Sequence, residues 1–356
     1  MTETVEMVTR TLAGRMNVIL LLAAAAIVCV VVWFVVTQPT LSKPRGASPV
    51  GVDPARLQTH VRMLSETFFP RDSSHPDNLD RVAEYIHQEF VRAGGAVSEQ
   101  PFTVPPDFPK TVKDPDMRKI AEKCIHTYRN VIAAFGPDTR ERIVVGAHYD
   151  AFGEFNPGAD DNASGTAGLI ELAYLLGKTS LPMRVELVAF TLEEPPFFRT
   201  PFAGSAVHAT SLEKQGIPLR VMICLEMIGY FKDAEGSQRY PLSLLKLFYP
   251  SRGDFAVVVG KLDEGMMVRR TKKAMLGAST LPVYSMNAPK SIEGIDWSDH
   301  LNYWDAGYDA VMISDTAIYR NGNYHTAGDT ADTLDYSRMA AVVEGVYGAV
   351  RAFAFQ

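Results

Sequence analysis

A chain of 356 residues with 47% hydrophobic and 21% charged side chains has the length for one large or two modest globular domains and an ordinary globular composition. Its net charge of -6, without any basic run, excludes a nucleic-acid partner, because nothing in it would release counterions from a phosphate backbone. Three scattered cysteines, Cys29, Cys124 and Cys224, exclude a disulfide framework and a thiolate metal site, while leaving a single Cys124–Cys224 bridge open.

Taken in chain order, the first element is apolar. Val18 to Val36 reads VILLLAAAAIVCVVVWFVV, with no charge. As a helix rising 1.5 Å per residue it matches a hydrocarbon core of roughly 30 Å. The following TQPTLSKPRG lacks a small-residue cleavage pattern, so the segment is expected to be an uncleaved membrane anchor rather than a signal peptide. Residues 1–17 are then a short tail, 37–52 a Pro-, Ser- and Gly-rich linker lifting the globular part off the bilayer, and 53–356 one domain. Arg10 and Arg15 balance Lys43 and Arg45 across the segment, so flanking charge orients it little. A short N-terminal tail that stays inside puts the domain on the extracytoplasmic side of a single-pass protein.

After the linker, Asp53-Pro54 caps a helix whose Leu57, Val61, Leu64 and Phe68 share one face. Val82, Ile86 and Phe90 mark a second helix, which stops at Gly94-Gly95. Strands are expected at Val97 to Val104, Asn130 to Phe135 and Ile143 to Ala147, with a Pro- and Lys-rich excursion between Pro105 and Glu122 that holds one short helix. Leu169, Leu172 and Leu176 form a helix face, and Val185 to Phe190, Val221 to Leu225, Ala256 to Val259 and Ala310 to Ile313 read as short buried strands. Helical patterns separate most of these strands. The fold class is therefore α/β, a single domain with a mostly parallel, mixed central sheet covered by helices on both faces, preceded by one transmembrane helix.

Polar clusters follow several of these strands. HYDAFGEFNPGADDNASG (His148 to Gly165) places a histidine and carboxylates at a strand end, where open α/β sheets bind ligands. FTLEEP puts Glu193 and Glu194 after the next strand, and LEMIGY puts Glu226 at the end of another. In the first pair neighbouring side chains point apart, so one can ligate a metal while the other reaches a metal-bound water. In WSDHLNYW, Ser298 is expected to cap a helix with Asp299 and His300 in its first turn, and NYHTAGDT holds His325 in a polar turn. Imidazole and carboxylate without thiolate suit zinc. His60, His75, His87 and His126 are read as surface or structural.

The ordered series HYD, GADDNASG, LEEP, LEMIGY, SDH and YHTAGDT, over about residues 129 to 345, resembles the co-catalytic zinc peptidases of family M28. That family includes bacterial leucyl aminopeptidase and glutamate carboxypeptidase, and its zinc-exopeptidase (phosphorylase/hydrolase-like) fold is shared by the glutaminyl cyclases. The resemblance implies two Zn2+ per chain, bridged by Asp161, with Glu194 and His325 completing one site and His148 and Glu226 the other. It implies Glu193 as general base, Asp150 as the partner that fixes the His148 imidazole, and Tyr324 as a hydroxyl donor to the oxyanion. Asp299 would contact substrate or support the site from behind, and His300 would be structural. The family often has Asp where Glu226 stands, and the segment PPFFRTPFAGS after Glu194 is longer than usual. Phe197, Phe198 and Phe202 could wall an apolar pocket or simply pack. The function implied is a membrane-anchored zinc aminopeptidase acting on peptides. Alternatives are a carboxypeptidase, a glutaminyl cyclase, whose branch tends to have Trp at the Tyr324 position, and a non-catalytic receptor-like ectodomain.

Overall fold

The computed structural model describes residues 2–45 and 49–355; Met1, Gln356 and residues 46–48 of the expected linker lie outside the described residues. The N-terminal helix α1 spans Thr2–Thr37, so the helix runs through most of the expected tail. Gly14 is the one poor helix former near its start, and it costs too little to stop a helix. Pro39 disfavours the helical conformation at Gln38, and the helix ends before it. Within α1, Arg15–Thr37 is long and apolar enough to cross a membrane, a property that signal sequences share.

Eight strands form one sheet among the described residues: β1 (Ala96–Thr103), β2 (Thr127–Phe135), β3 (Arg142–His148), β4 (Arg184–Phe190), β5 (Leu219–Glu226), β6 (Ala256–Gly260), β7 (Val283–Asn287) and β8 (Ala310–Ser314). Their spatial order is β1-β2-β4-β3-β5-β8-β6-β7. The central strands β4, β3, β5 and β8 run parallel, as do β6 and β7. The pairs β1-β2, β2-β4 and β6-β8 are antiparallel. The sheet is thus mixed and mostly parallel, as its apolar runs predict. Strand β7 escapes the sequence reading, because VYSMN is short and its alternating burial leaves only a weak apolar signal at the sheet edge.

The pleat divides the core into two layers. Ile143, Val145 and Ala147 of β3 face a cluster with Leu57 of α2 (Pro54–Arg62), Phe90 of α3 (Pro76–Arg92), Leu169 of α5 (Gly165–Leu176), Met275 of α7 (Gly265–Ala278) and Val346 of α9 (Tyr336–Ala354). Val144 points the other way, to Leu212 of α6 (Gly204–Lys214) and Trp304 of α8 (His300–Asp305). Each buried aliphatic side chain contributes about 1.5–3 kcal/mol, so the central strands are held from both faces. Cys124 and Cys224 are buried free thiols in opposite layers, with the sheet between them, and they form no bridge. The excursion after β1 carries the expected short helix, α4 (Pro115–Lys123), whose N-terminal amides are capped by the Asp114 carboxylate.

Candidate metal centre

Because β4, β3, β5 and β8 are parallel, their carboxyl ends lie on one edge of the sheet, and the polar clusters meet there. His148 is the last residue of β3 and Glu226 the last of β5, while Glu193 and Glu194 follow β4. Asp161 lies in a tight turn, Ala159–Ser164, that feeds α5, and His325 comes from the loop after β8. Asp161 stands between the two histidines: its Oδ1 is 3.4 Å from His148 Nε2 and its Oδ2 is 3.1 Å from His325 Nε2. His325 Nε2 is also 3.2 Å from Glu194 Oε2, and His148 Nε2 is 3.3 Å from Glu226 Oε2 and 3.9 Å from Glu193 Oε2.

The turn that presents Asp161 is held by its own short polar residues. Asn162 donates from Nδ2 to the Leu225 carbonyl (2.9 Å), and its Oδ1 accepts from the amides of Gly165 (3.0 Å) and Met227 (3.2 Å). The Ser164 hydroxyl donates to the Asp160 carbonyl (2.7 Å) and accepts from the Ile228 amide (2.9 Å). The Asp329 carboxylate accepts from both the Asp160 and Asp161 amides at 3.0 Å. Asp160 itself accepts from the Gly229 amide (3.0 Å) and from Asn321 Nδ2 (2.8 Å), so its job is to tie loops together. Behind the turn lies fully buried Arg71, whose guanidinium donates to the carbonyls of Tyr149 (3.1 Å), Pro157 and Gly158. Asp329 and Arg71 were not among the expected site residues.

Asp150 has a broader role than the sequence implies. Its carbonyl oxygen is 3.2 Å from His148 Nδ1 and its Oδ1 is 3.5 Å away, while its carboxylate accepts from the amides of Glu193 and Glu194, both at 3.1 Å. Asp150 therefore meets the β3 histidine chiefly through its backbone carbonyl and holds the glutamate pair after β4 through its carboxylate. Ser298 departs from the expected cap. Asp299, not Ser298, stands at the N-cap of α8, and the Ser298 hydroxyl donates instead to the buried Glu226 Oε2 (2.6 Å). Asp299 immediately precedes α8, fully buried, with neither carboxylate oxygen hydrogen-bonded. Beside it His300 bonds the Ile295 carbonyl (2.8 Å) and meets Trp304 edge-on, a structural role as expected. His325, at φ 56, is sandwiched between Tyr324 (ring centroids 3.8 Å apart) and Phe152 (4.3 Å). His60 and His75 bond Tyr85 and Asp72, away from the centre.

The residues fit a metal. His148 Nε2, Asp161 Oδ2, Glu194 Oε1 and His325 Nε2 are buried with no hydrogen-bond partner, although unpaired buried polar atoms are costly. His148, Asp161 and Glu194 offer ligand atoms all within 4.8 Å of one another. Charge points the same way. Burial and the neighbouring carboxylates Glu194 and Glu226 push the Glu193 carboxyl well above its ordinary range, and burial with Asp161 pushes Glu194 up to about 7. Burial would lower His325, but Glu194 and Asp161 raise it to about 10; His148 is likewise raised, against burial, by Glu226 and Glu193. So many carboxylates around two imidazoles call for added positive charge, and this oxygen and nitrogen donor set suits zinc. The Tyr324 phenol is held above its ordinary range by burial and by Asp161 and Glu194.

Beside these residues opens a cavity of about 260 Å³ with a mainly apolar wall. Phe198 lines it, with Tyr240, Phe255, Met286 and Trp297 from later segments. Phe197 and Phe202 pack on Phe108 instead, the former stacked at 4.7 Å and the latter edge-on at 5.3 Å. Of the three phenylalanines for which the sequence leaves both pocket wall and simple packing open, one lines the cavity and two pack.

Comparisons with known proteins place the chain in a family and a fold. The uncharacterized protein YfbL of Escherichia coli K12 is 47% identical over 312 residues, covering 86% of this chain and 88% of its own length. Leucine aminopeptidase 1 of Coccidioides posadasii is 24% identical over 223 residues; the match covers 59% of this chain and about half, 52%, of that protein. Among solved structures, a zinc aminopeptidase from Bacillus subtilis superposes with a TM-score of 0.63 at 17% identity, over 84% of this chain and 94% of its own. The glutaminyl cyclase of Bacteroides thetaiotaomicron gives 0.61 at 18% identity, over 85% and 99%. The description Peptidase family M28 matches residues 130–350, which include the histidines, carboxylates and tyrosine gathered at the sheet edge, and the chain belongs to that family of metallopeptidases.

Proposed function

We propose that this chain is a zinc-dependent aminopeptidase that removes N-terminal residues from peptides and is held at a membrane by α1, with residues 53–356 as its catalytic domain on the extracytoplasmic side. The observation that carries the reading is the convergence of buried, unpaired ligand atoms of His148, Asp161, Glu194 and His325 beside a buried glutamate, Glu193, at the rim of an apolar cavity. Asp161 would bridge two zinc ions, Glu194 and His325 would complete one, and His148 and Glu226 the other. When bound, the ions lower the pKa of a shared water and polarise the scissile carbonyl.

The chain's own groups do the rest. Glu193 accepts the proton of the attacking water and passes it to the leaving amine, a task suited to a buried carboxylate lining the cavity beside the metal-binding residues. Asp150 holds Glu193 and Glu194 by their amides, so base and ligand keep a fixed separation. The Tyr324 hydroxyl donates to the developing oxyanion. The apolar cavity receives the side chain of the residue being released, and Asp299, wholly buried, supports the site from behind rather than meeting substrate.

The test uses the purified full chain on aminoacyl substrates, N-blocked C-terminal substrates and Gln-peptides, with metals counted per chain. Hydrolysis of the aminoacyl substrates is expected. Hydrolysis of neither class sinks the peptidase reading, and ammonia release from a Gln-peptide without cleavage moves it to a cyclase. Glu193→Gln is expected to lower kcat by about 10²–10⁴ with metal retained. Unchanged turnover in that variant removes Glu193 as the base.

A further inference from the structure

At the end of α1 the chain is fastened to the domain. The Thr37 carbonyl accepts from Lys272 Nζ (2.6 Å) and from the Ser285 hydroxyl (2.7 Å), Gln38 is buried and accepts from Arg269 Nε (3.2 Å), and the Arg269 guanidinium lies over the Phe34 ring at 4.4 Å. The Arg45 amide bonds the Ser279 carbonyl (2.9 Å). The first part of the expected linker therefore lies along α7 and β7, and the apolar helix meets the domain directly.

Around this junction the surface is apolar where a water-facing surface need not be. The turn Ser243–Leu247 turns Leu245 inward but leaves Leu242, Leu244 and Leu247 exposed by 51%, 63% and 74%. Tyr249, at the end of this segment, donates to the Ser285 carbonyl (2.6 Å), and Ser285 is the residue whose hydroxyl holds Thr37. On the other flank, Leu262 and Met266 are exposed by 49% and 81%, and Gly265 between them lies against the Gln38 side chain. Lys246 and Lys273 are exposed nearby and Arg269 half-buried, while Asp263 is the exposed acid beside Leu262. Leucines and a methionine interspersed with basic residues are the composition of a surface that sits in the headgroup region of a bilayer.

We propose that Leu242, Leu244, Leu247, Leu262 and Met266 form a seat that rests in the lipid headgroup layer around the emerging end of α1, a proposal that rests on the reading that α1 remains attached and crosses the membrane. The occupant is the bilayer surface itself, because the patch is continuous with the helix that would cross it. Tyr240, Pro241 and Tyr249 line the catalytic cavity and flank the same turn, so the seat brings the cavity to the membrane surface, where it meets membrane-associated peptides.

The experiment uses the full chain in nanodiscs of phosphatidylcholine and phosphatidylglycerol, in a Cys29→Ser background. Nitroxides are attached in turn to Leu244→Cys, Leu247→Cys and Met266→Cys, and to Lys119→Cys on α4 at the far edge of the sheet as the aqueous control. The mass of the recovered chain is read alongside. The expected result is an intact chain whose nitroxides at 244, 247 and 266 are relaxed more by oxygen than by a water-soluble nickel chelate, with the opposite order at 119. An intact chain with all four sites relaxed preferentially by nickel overturns the seat and leaves the anchor standing. A chain that has lost residues 1–37 overturns both.

Discussion

At the scale of single residues, the site depends on side chains that touch the ligands from behind as much as on the ligands. Asp150 is an acceptor for two amides and a neighbour of His148 at once. Asp150→Asn turns a donor toward one of those amides, so turnover and zinc content are expected to fall by about 10–100-fold, read from kcat and from metal per chain after dialysis. Full retention of both would show that the carboxylate charge is dispensable. Ser298 does for Glu226 what Asp150 does for the glutamate pair. Ser298→Ala leaves a buried carboxylate short of its hydroxyl donor, and affinity at the His148–Glu226 side is expected to weaken about tenfold in a zinc titration, with the other side unchanged. His148, Glu193, Glu194 and Glu226 stand at or just after strand ends and are legible as polar residues closing apolar runs, and Asp161 and His325 as polar residues of the turns beyond. The role of Ser298 is not, because it depends on which acceptor a hydroxyl meets 72 residues away in the chain.

At the scale of elements, the turn before α5 is the part most dependent on distant support. Arg71 is buried, with its pKa lowered by burial to about 10, and it satisfies carbonyls of Tyr149, Pro157 and Gly158 on either side of the loop that leads to Asp161. Replacing it leaves those buried carbonyls without a donor and removes the positive charge that faces Asp329, Asp161, Asp150 and Glu194. Arg71→Met is expected to cost about 3–5 kcal/mol, seen as a lower denaturant midpoint at unchanged slope. A loss below 1 kcal/mol would mean that water takes over the guanidinium's bonds. Arg71→Lys is expected to rescue little, because an ammonium lacks the planar fork that reaches separate carbonyls. The close approach of α5 to β5 is a related constraint. A Cβ at Gly165 would lie 2.6 Å from the Leu225 carbonyl, which is why a glycine opens this helix.

For the whole molecule, acid sensitivity comes in part from a histidine buried outside the proposed ligand set. His208, between α6 and the sheet, bonds the Tyr303 hydroxyl (2.6 Å), and burial, with a smaller contribution from Arg142, lowers its pKa to about 3. A base with a depressed folded pKa favours the neutral form, so its contribution is complete above the unfolded value near 6.5 and is lost as pH falls toward about 3. The stability difference between the protein and His208→Gln is therefore expected to shrink by up to about 1.4 kcal/mol per pH unit below 6.5, measured as urea midpoints from pH 7 to 4.5. A pH-independent difference would mean that His208 is already charged in the fold. By itself, the sequence determined the α/β class, most strands, the apolar helix at the N-terminus and the order of the metal-site motifs, because period and turn chemistry are local and His148, Glu193, Glu194 and Glu226 stand at or just past the ends of apolar strands, with Asp161 and His325 in polar turns further on. Only the tertiary structure decided that Asp150 grips the glutamate pair, that Ser298 serves Glu226, that Phe198 alone of three phenylalanines lines the cavity, and that α1 is fastened to α7 and β7. Those outcomes depend on which side chains arrive at the same place when distant segments pack, and no local pattern records that.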